Sequence, residues 1–450
     1  MSRAPDFTFL RNFRRQYRYA ARGEGVYLFD EHGKRYLDAC GGAAVVSIGH
    51  GVPEIIEAVA AQARQLSYVH SSQFLTPVGA ELAAALAAKF PGPAQEPRVH
   101  FCSGGSEAAE TAIKIARAYW LARGEPQRYK VISRWVSYHG TTLGALSASG
   151  NRIRRQAFAP LLPAAMEHIS ACFCYRCPLG LEYPACELAC ARELEDAIVK
   201  AGKETVAAFI FEPIVGASSG AVPPEGYLRM IQEICQRHGI LLIADEVMTG
   251  AGRTGKYFAV EHWGVVPDMI LAGKGLASGY APLGAVLVGE KVWRSIQSGL
   301  GSLDHGFTYQ GHPPSLAAGL AVQHYLEKHG LLERARQRGE YLARRLERLR
   351  GLPGVGDVRG KGLLQTVEFV ADKMTKKPFP IEFNFSFRLF ENLQARGVLV
   401  YPMHGTVEGG AGDHVLLAPP FIVEEAQLDI LVAQLEQALA EIHREGPARA

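Results

Sequence analysis

The sequence has no uninterrupted run of about 18 apolar residues, the length that a helix needs to cross a bilayer. Its start, from Met1 to Phe7, has no apolar stretch of signal-peptide length. An excess of one charge is also missing, since 48 basic residues stand against 45 acidic ones and no long run of either sign occurs. We therefore expect no membrane span, no nucleic acid partner and a cytoplasmic location. The expected ligand is a small molecule.

The middle of the chain predicts a large α/β domain. With 450 residues, 48% of them hydrophobic, the chain can form a large core and two domains. Two short alternating runs, 25–30 and 34–38, predict a hairpin. From about residue 53, helical stretches alternate with short apolar strands, which favours a mostly parallel sheet flanked by helices. The predicted strands are 98–101, 129–132, 206–211, the two that precede Asp245 and Lys274, and 285–288.

The last part of the chain predicts a smaller α+β domain. Residues 332–349 have apolar residues at helical spacing, and 355–369 is strand-like again. The N-terminal hairpin is expected to join this domain. The predicted division is an N-terminal segment 1–52 that joins the small domain, a large domain 53–325 and a C-terminal small domain 326–450.

A single lysine follows the apolar run 269–272. Lys274 lies between Gly273 and Gly275. An ammonium at the end of an apolar strand costs free energy unless a partner takes it up. A desolvated amine between flexible neighbours suits Schiff-base chemistry with a carbonyl. Lys274 is therefore a candidate catalytic residue.

A carboxylate follows another apolar run, 241–244. Asp245 stands at the carboxyl end of this predicted strand. In an open α/β sheet, ligands bind at the carboxyl ends of the strands, so Asp245 and Lys274 are expected at one edge. A lysine that forms an imine and an aspartate that pairs with a pyridinium nitrogen are the groups that pyridoxal phosphate requires. We predict this cofactor, with Lys274 and Asp245 as catalytic residues.

A glycine pair separates strand 98–101 from a predicted helix. Gly104 and Gly105 would let backbone amides approach a phosphate, and the helix N-terminus would supply a favourable field. The Ser106 hydroxyl could donate a further hydrogen bond. The alternative is an ordinary N-cap at Ser106 with acidic Glu107 in the first helical turn.

Further candidates stand at two other strand ends. Tyr138, followed by His139, could stack on a flat aromatic cofactor while Val247 covers its opposite face. Tyr138 could equally be a half-buried core residue. Glu212 ends another apolar strand and could bond near the cofactor or neutralise a basic side chain, or it could be a solvated strand-end glutamate.

Residues 250–256, GAGRTGK, nearly match the phosphate loop of nucleoside triphosphatases. The next residue is Tyr257, where that motif requires a Ser or Thr to hold magnesium. No convincing helix start follows. We therefore reject an ATPase function.

Five of the eight cysteines fall in one stretch. The pair spacing, C-x2-C followed by C-x3-C, is that of a structural zinc site. Reduced or simply packed thiols are the favoured interpretation and zinc is the alternative, while a cytosolic setting disfavours disulfides. These cysteines are Cys172, Cys174, Cys177, Cys186 and Cys190.

Two motifs resemble the signature of the class III, or omega, aminotransferases. They are 245–255, DEVMTGAGRTG, and 267–274, PDMILAGK. The likeness extends from the hairpin near residue 25 to Pro419 and Pro420, and it implies fold type I of the pyridoxal phosphate enzymes.

The resemblance also implies a role for each candidate residue and an obligate homodimer with shared active sites. His139 and Glu212 complete the cofactor-binding set. Lys274 would hold the cofactor as a Schiff base, Asp245 would keep its pyridine nitrogen protonated, Tyr138 and Val247 would sandwich the ring, Gly105 and Ser106 would bind the phosphate, and Phe307 and Thr308 would reach the neighbour's phosphate.

The chain departs from the family pattern at the substrate side. Many relatives have a C-terminal arginine that clamps a substrate carboxylate, yet residues 397–443 contain neither Arg nor Lys. Residues 40–45 are small where related amine transaminases place a bulky aromatic, and 405–414 resembles a glycine-rich loop. We expect a transaminase with an amine or omega-amino acid donor and a 2-oxo acid acceptor such as pyruvate. A decarboxylase, phospho-lyase or aminomutase could use the same residues, and a cofactor-binding regulator is a more remote alternative.

Overall fold

The computed structural model describes residues 7–93 and 96–445. Residues 1–6, where no signal peptide is expected, lie outside this described part. So do residues 446–450, the end of the predicted C-terminal domain. None of the helices in the described part has the length and hydropathy of a membrane span.

The strands form one seven-stranded sheet and two four-stranded sheets. Their bounds are β1 Ala20–Glu24, β2 Tyr27–Asp30, β3 Arg35–Asp38, β4 Arg98–Cys102, β5 Lys130–Arg134, β6 Met166–Ile169, β7 Val206–Phe211, β8 Leu241–Asp245, β9 Met269–Ala272, β10 Gly284–Val288, β11 Val355–Lys361, β12 Leu364–Phe369, β13 Val398–Leu399, β14 Tyr401–Met403 and β15 Asp413–Leu417.

The large sheet has the strand order β4-β10-β9-β8-β7-β5-β6. Strand β10 runs antiparallel to both of its neighbours, β4 and β9. The other four pairs are parallel. The predicted mostly parallel sheet is therefore confirmed, and the carboxyl ends of β7, β8 and β9 meet at one edge.

Strand β7 illustrates why these apolar runs form a central strand. All six of its residues are buried. Because side chains alternate between faces, Phe209 and Phe211 pack into one core while Ala208 and Ile210 pack into another on the opposite side. Helices cover both faces of the sheet, as parallel strands require.

The helices pack around these sheets. Their bounds are α1 Gly41–Ala44, α2 Pro53–Gln65, α3 Pro77–Ala87, α4 Gly105–Ala122, α5 Leu143–Ala148, α6 Arg152–Gln156, α7 Ala189–Ala201, α8 Tyr227–His238, α9 Glu290–Gly299, α10 Pro313–Lys328, α11 Leu331–Glu347, α12 Phe385–Ala395 and α13 Glu425–Glu445. Short 3-10 turns lie at Ala159–Leu161, Cys174–Arg176, Ala259–Trp263, Lys274–Leu276, Arg348–Gly351, Ile381–Phe383 and Glu408–Gly410.

The N-terminal hairpin is joined to the C-terminal part of the chain. Val398 and Leu399 of β13 pair in parallel with Leu37 and Asp38 of β3. The third sheet, β11-β12-β15-β14, is antiparallel throughout. The predicted boundary between 325 and 326 falls inside α10, and the division into domains stays a prediction.

Candidate active site

Lys274 begins a 3-10 turn directly after β9. Its φ of 44° lies in the left-handed region, which is uncommon for a residue with a Cβ and is frequent at functional sites. Burial lowers the pKa of Lys274 to about 8, although the nearby carboxylates of Asp245 and Glu212 act in the opposite direction. The lysine is thus a partly desolvated amine at a sheet edge.

Asp245 ends β8 and is almost fully buried. Its Oδ2 lies 2.8 Å from Nδ1 of His139, and its Oδ1 accepts a hydrogen bond from the backbone N–H of Val247 at 3.1 Å. The backbone N–H of His139 donates to Oγ of Ser149 at 2.7 Å. These bonds fix the orientation of a buried carboxylate beside Lys274, to which it couples electrostatically.

The glycine turn leads into α4, and Gly104 is its N-cap. The alternative in which Ser106 caps the helix is therefore wrong, because Ser106 lies inside the first turn. No side chain caps this helix end, and Oγ of Ser106 accepts a bond from the backbone N–H of Thr141 at 3.0 Å. An 18-residue helix thus presents its N-terminal amides at the sheet edge, where an anion is favoured.

Val247 lies between the two glycines that flank the site. A Cβ on Gly105 would lie 2.7 Å from Cγ1 of Val247, and one on Gly273 would lie 3.3 Å from the same atom. The structure therefore brings the end of β8, the start of α4 and the end of β9 together around this side chain. Glycine at position 105 is required by the close approach.

Tyr138 is half-buried, and its backbone N–H donates to Oε1 of Glu212 at 2.8 Å. The other carboxylate oxygen of Glu212 accepts from the backbone N–H of Gly216 at 2.9 Å. Burial raises the pKa of Glu212. The alternative of a solvated glutamate is wrong, because Glu212 is 5% exposed. Both oxygens are occupied by backbone amides, so this acid anchors the Tyr138 segment.

Phe307 packs against the same hydrophobic cluster as Val247, whereas Thr308 lies at the surface. Thr308 is exposed, and its carbonyl accepts a hydrogen bond from the Tyr68 hydroxyl at 2.9 Å. The ring of Phe307 contacts that of His305 edge-on at 5.0 Å. Within residues 7–93 and 96–445, no hydrogen bond joins either residue to Lys274 or Asp245.

The sequence interpretation missed Arg154, which lies on α6. Its guanidinium carbon lies 4.6 Å from the centroid of the Tyr138 ring. Burial raises the pKa of Tyr138, and the positive charge of Arg154 opposes that rise; burial lowers the pKa of Lys274, and the charge of Arg154 adds to that decrease. The basic run 152–155 was the available signal, but the sequence alone did not place it near Tyr138.

The near-match to a phosphate loop has a structural explanation. Arg253 of that segment is buried, and its guanidinium donates to the carbonyls of Val46 at 3.2 Å, Leu363 at 3.2 Å and Pro419 at 2.6 Å. The segment therefore joins distant parts of the chain.

The cysteine stretch forms a packed cluster of free thiols. Burial and a hydrogen bond with Cys190 raise the pKa of Cys172. The same hydrogen bond lowers the pKa of Cys190. In the described ranges, no group of three or more His, Cys, Asp or Glu side chains is arranged to hold a metal ion.

A cavity of about 790 Å³ lies between Cys174 and the glycine-rich loop, which contributes Gly405 and Gly410.

The residues at the sheet edge fit pyridoxal phosphate. Lys274 is a desolvated amine of the kind that could react with its carbonyl carbon. Asp245 is a buried acid bonded by His139, which suits a protonated ring nitrogen. The uncapped N-terminus of α4 suits its phosphate.

Comparison with known proteins agrees with the fit to pyridoxal phosphate. The model of the family described as aminotransferase class-III matches residues 11–439. The uncharacterized aminotransferase YodT of Bacillus subtilis is 41% identical over 95% of this chain and 96% of its own length. The putrescine–pyruvate aminotransferase of Pseudomonas aeruginosa is 34% identical over 94% of this chain and 90% of its own. The diaminobutyrate–2-oxoglutarate transaminase of Halomonas elongata is 35% identical over 93% and 89%.

Solved structures of transaminases superpose on almost the whole chain. A thermostable (S)-enantioselective omega-transaminase from Thermomicrobium roseum has a TM-score of 0.89 and 41% identity, covering 95% of this chain and 94% of that one. An amine transaminase from an uncultivated Pseudomonas species, in its pyridoxal phosphate-bound form, has a TM-score of 0.90 and 36% identity, covering 98% of each chain. This chain therefore belongs to the class III aminotransferases, has their fold type I architecture and is a pyridoxal phosphate-dependent enzyme.

Proposed function

We propose that this enzyme moves an amino group from an amine or omega-amino acid to a 2-oxo acid, pyruvate first among them, in two alternating half-reactions. The observation that supports this most is the pairing at one sheet edge of a desolvated lysine with a buried aspartate. Each half-reaction then needs one group that moves a proton at the substrate carbon. It also needs one group that holds a positive charge on the cofactor ring.

Lys274 is the proposed proton carrier. A pKa of about 8 leaves a larger neutral fraction near neutral pH than an ordinary lysine has, and only the neutral amine can accept a proton. It takes the proton from the alpha carbon of the donor and returns it to the alpha carbon of the acceptor in the reverse sequence. Bound pyridoxal phosphate supplies the electron sink that makes this carbon acidic.

Asp245 holds the ring nitrogen protonated in this proposal. Its charge is desolvated, and a buried carboxylate interacts strongly with a cation in contact with it. His139 acts through Asp245, because its 2.8 Å hydrogen bond fixes the carboxylate orientation. His139 is thus a positioning residue.

The remaining candidates bind and orient the cofactor. Gly105 and Ser106 are proposed to bind its phosphate at the start of α4, with Val247 and Tyr138 on the two ring faces. Glu212 is proposed to orient Tyr138 through its backbone bond. This is a more specific role than direct contact with the cofactor.

A homodimer is part of the proposal. Thr308 is exposed, so it is free to reach the phosphate site of a second copy of the chain. The ring of Tyr68 contacts that of Tyr309, which follows Thr308 in the sequence. A few residues after Tyr68, the large apolar side chains of Phe74 and Leu75 are 68% and 89% exposed. Such side chains are typical of a surface that a partner covers. The cytoplasmic location stays a prediction.

The substrate class rests on two observations. Residues 397–443 contain neither Arg nor Lys to clamp a second carboxylate, which disfavours dicarboxylate donors. The relatives named for their substrates include both a pyruvate-dependent and a 2-oxoglutarate-dependent enzyme. We assign pyruvate because it has a single carboxylate.

A donor screen on the purified holoenzyme tests the proposal. Loss of the visible cofactor absorbance should follow addition of simple amines or omega-amino acids, and pyruvate should restore it. Lys274→Ala should lose both the absorbance of the attached cofactor and turnover. Substantial turnover in that variant, or a donor preference for glutamate far above simple amines, would refute the proposal.

A further inference from the structure

Arg154 is a half-buried cation beside the proposed reaction site. Its guanidinium carbon lies 4.6 Å from the Tyr138 ring centroid, within the range of a cation–π contact. The ring holds the planar guanidinium in place without using its N–H donors. The donors are therefore available to a ligand.

The neighbouring arginines of α6 are oriented elsewhere. Arg155 donates to the carbonyls of Leu146 and Ser149, at 2.9 and 2.8 Å, and to that of Ser147. Arg152 lies over the ring of Trp135 at 4.4 Å. Among the side chains that the structure describes, no carboxylate forms a salt bridge with Arg154.

The charge of Arg154 acts on the reaction centre. It lowers the pKa of Lys274 together with burial, so its field extends to the amine that reacts. Arg11 also acts on Tyr138, but its side chain is exposed and its charge is more strongly screened. A partly desolvated guanidinium with free donors is the group that recognises a carboxylate most strongly.

We propose that Arg154 binds the carboxylate of the 2-oxo acid acceptor, and of any amino acid donor, at the Tyr138 side of the site. This rests on the proposed transaminase function and names the residue that recognises its acid substrate. It also explains how a chain with neither Arg nor Lys in 397–443 binds such an acid. Simple amines, which carry no carboxylate, would not use Arg154.

The test compares two acceptors that differ in the carboxylate. Holoenzyme that has taken up an amino group is mixed with pyruvate or with propanal. In Arg154→Gln we expect the apparent dissociation constant of pyruvate to rise about 10- to 100-fold and that of propanal to change less than about threefold. Arg154→Lys should recover part of the loss, because it keeps the charge but not the fork of donors.

Two controls separate recognition from structural damage. Arg152→Gln on the same helix and Arg11→Gln near the same ring should leave the ratio of pyruvate to propanal constants unchanged. Equal losses for both acceptors in Arg154→Gln, or a selective loss in either control instead, would overturn the proposal.

Binding of propionate provides a readout that needs no turnover. Calorimetric titration of the holoenzyme should show propionate binding that Arg154→Gln weakens at least tenfold. If the wild type transaminates neither acceptor, the proposed function fails, and this titration still decides the role of Arg154. Unchanged propionate affinity in Arg154→Gln would overturn it.

Discussion

Replacement of Gly105 by alanine tests whether close packing around Val247 shapes the cofactor site. The added Cβ would lie 2.7 Å from Cγ1 and 3.2 Å from Cγ2 of Val247. Real Cβ atoms do not approach other carbons this closely, so the valine or the start of α4 must shift. A β-branched side chain has few alternative rotamers, and we expect Val247 to move from its place.

The magnitude follows from two opposing effects. Overpacking at a tight contact costs about 1–3 kcal/mol. Loss of glycine's freedom in the unfolded chain stabilises by about 0.4–1 kcal/mol at a helical position. The net cost to folding is about 1–2 kcal/mol, but only the overpacking strain can affect cofactor binding, because the unfolded chain takes no part in that equilibrium. If Val247 flanks the ring and about 1–2 kcal/mol of this strain must be restored on binding, the cofactor dissociation constant rises about 5- to 30-fold.

Titration of the apoenzyme with pyridoxal phosphate, followed by its visible absorbance, measures this change. Gly104→Ala is the matched control, because its backbone is extended at φ −179° and nothing lies within 4 Å of the added Cβ. The Gly105→Ala change should also cost less in a Val247→Ala background, where the contact is absent. Wild-type affinity in Gly105→Ala, or an equal loss in Gly104→Ala, would refute the reasoning.

Two further predictions concern Lys274 and the thiols. Because burial lowers the pKa of Lys274 from 10.5 to about 8, the unfolded chain binds more protons than the native one between these values, and stability from this group rises with pH in that window. Lys274→Met should therefore raise the thermal midpoint of the apoenzyme at pH 7, with a gain that shrinks toward pH 10.5. A gain independent of pH would contradict this. Metal analysis should find no stoichiometric zinc in the protein or in Cys174→Ser, since the described side chains form no metal-binding group; one zinc per chain, lost in the variant, would contradict this.

Much of the fold could be predicted because central parallel strands are buried on both faces and appear as apolar runs. Strand β7 was predicted with its observed bounds for this reason. Strands β1, β6, β13, β14 and β15 were missed, and all of them except β15 are edge strands. Strand β15 is buried, but it contains only three consecutive apolar residues, Val415 to Leu417. β1, with the sequence AARGE, is mostly exposed and pairs only with β2, while β6, MEHI, is half-buried at the edge of the large sheet. Edge strands lack the burial that marks a central strand in the sequence.

Part of the candidate site could be predicted for the same physical reason. Lys274 and Asp245 follow apolar strands, so topology alone brings them to one edge. The contact of His139 with Asp245 and that of Arg154 with Tyr138 depend on how loops and the short helix α6 pack. Neither contact leaves a periodic signal. The position of Arg154 is set by tertiary structure, so the proposed role of this residue could not be inferred from its sequence context.

The buried guanidinium of Arg253 has a mechanical consequence. It donates hydrogen bonds to carbonyls near residue 46, residue 363 and residue 419, so it joins the N-terminal segment and two parts of the C-terminal sheet region to the loop that follows β8. A hinge motion that separated these parts would break three charge-assisted bonds in a dry environment, each worth about 1.5–3 kcal/mol. We therefore expect the parts joined by Arg253 to move together when substrate binds, with any opening of the site confined to side chains and surface loops.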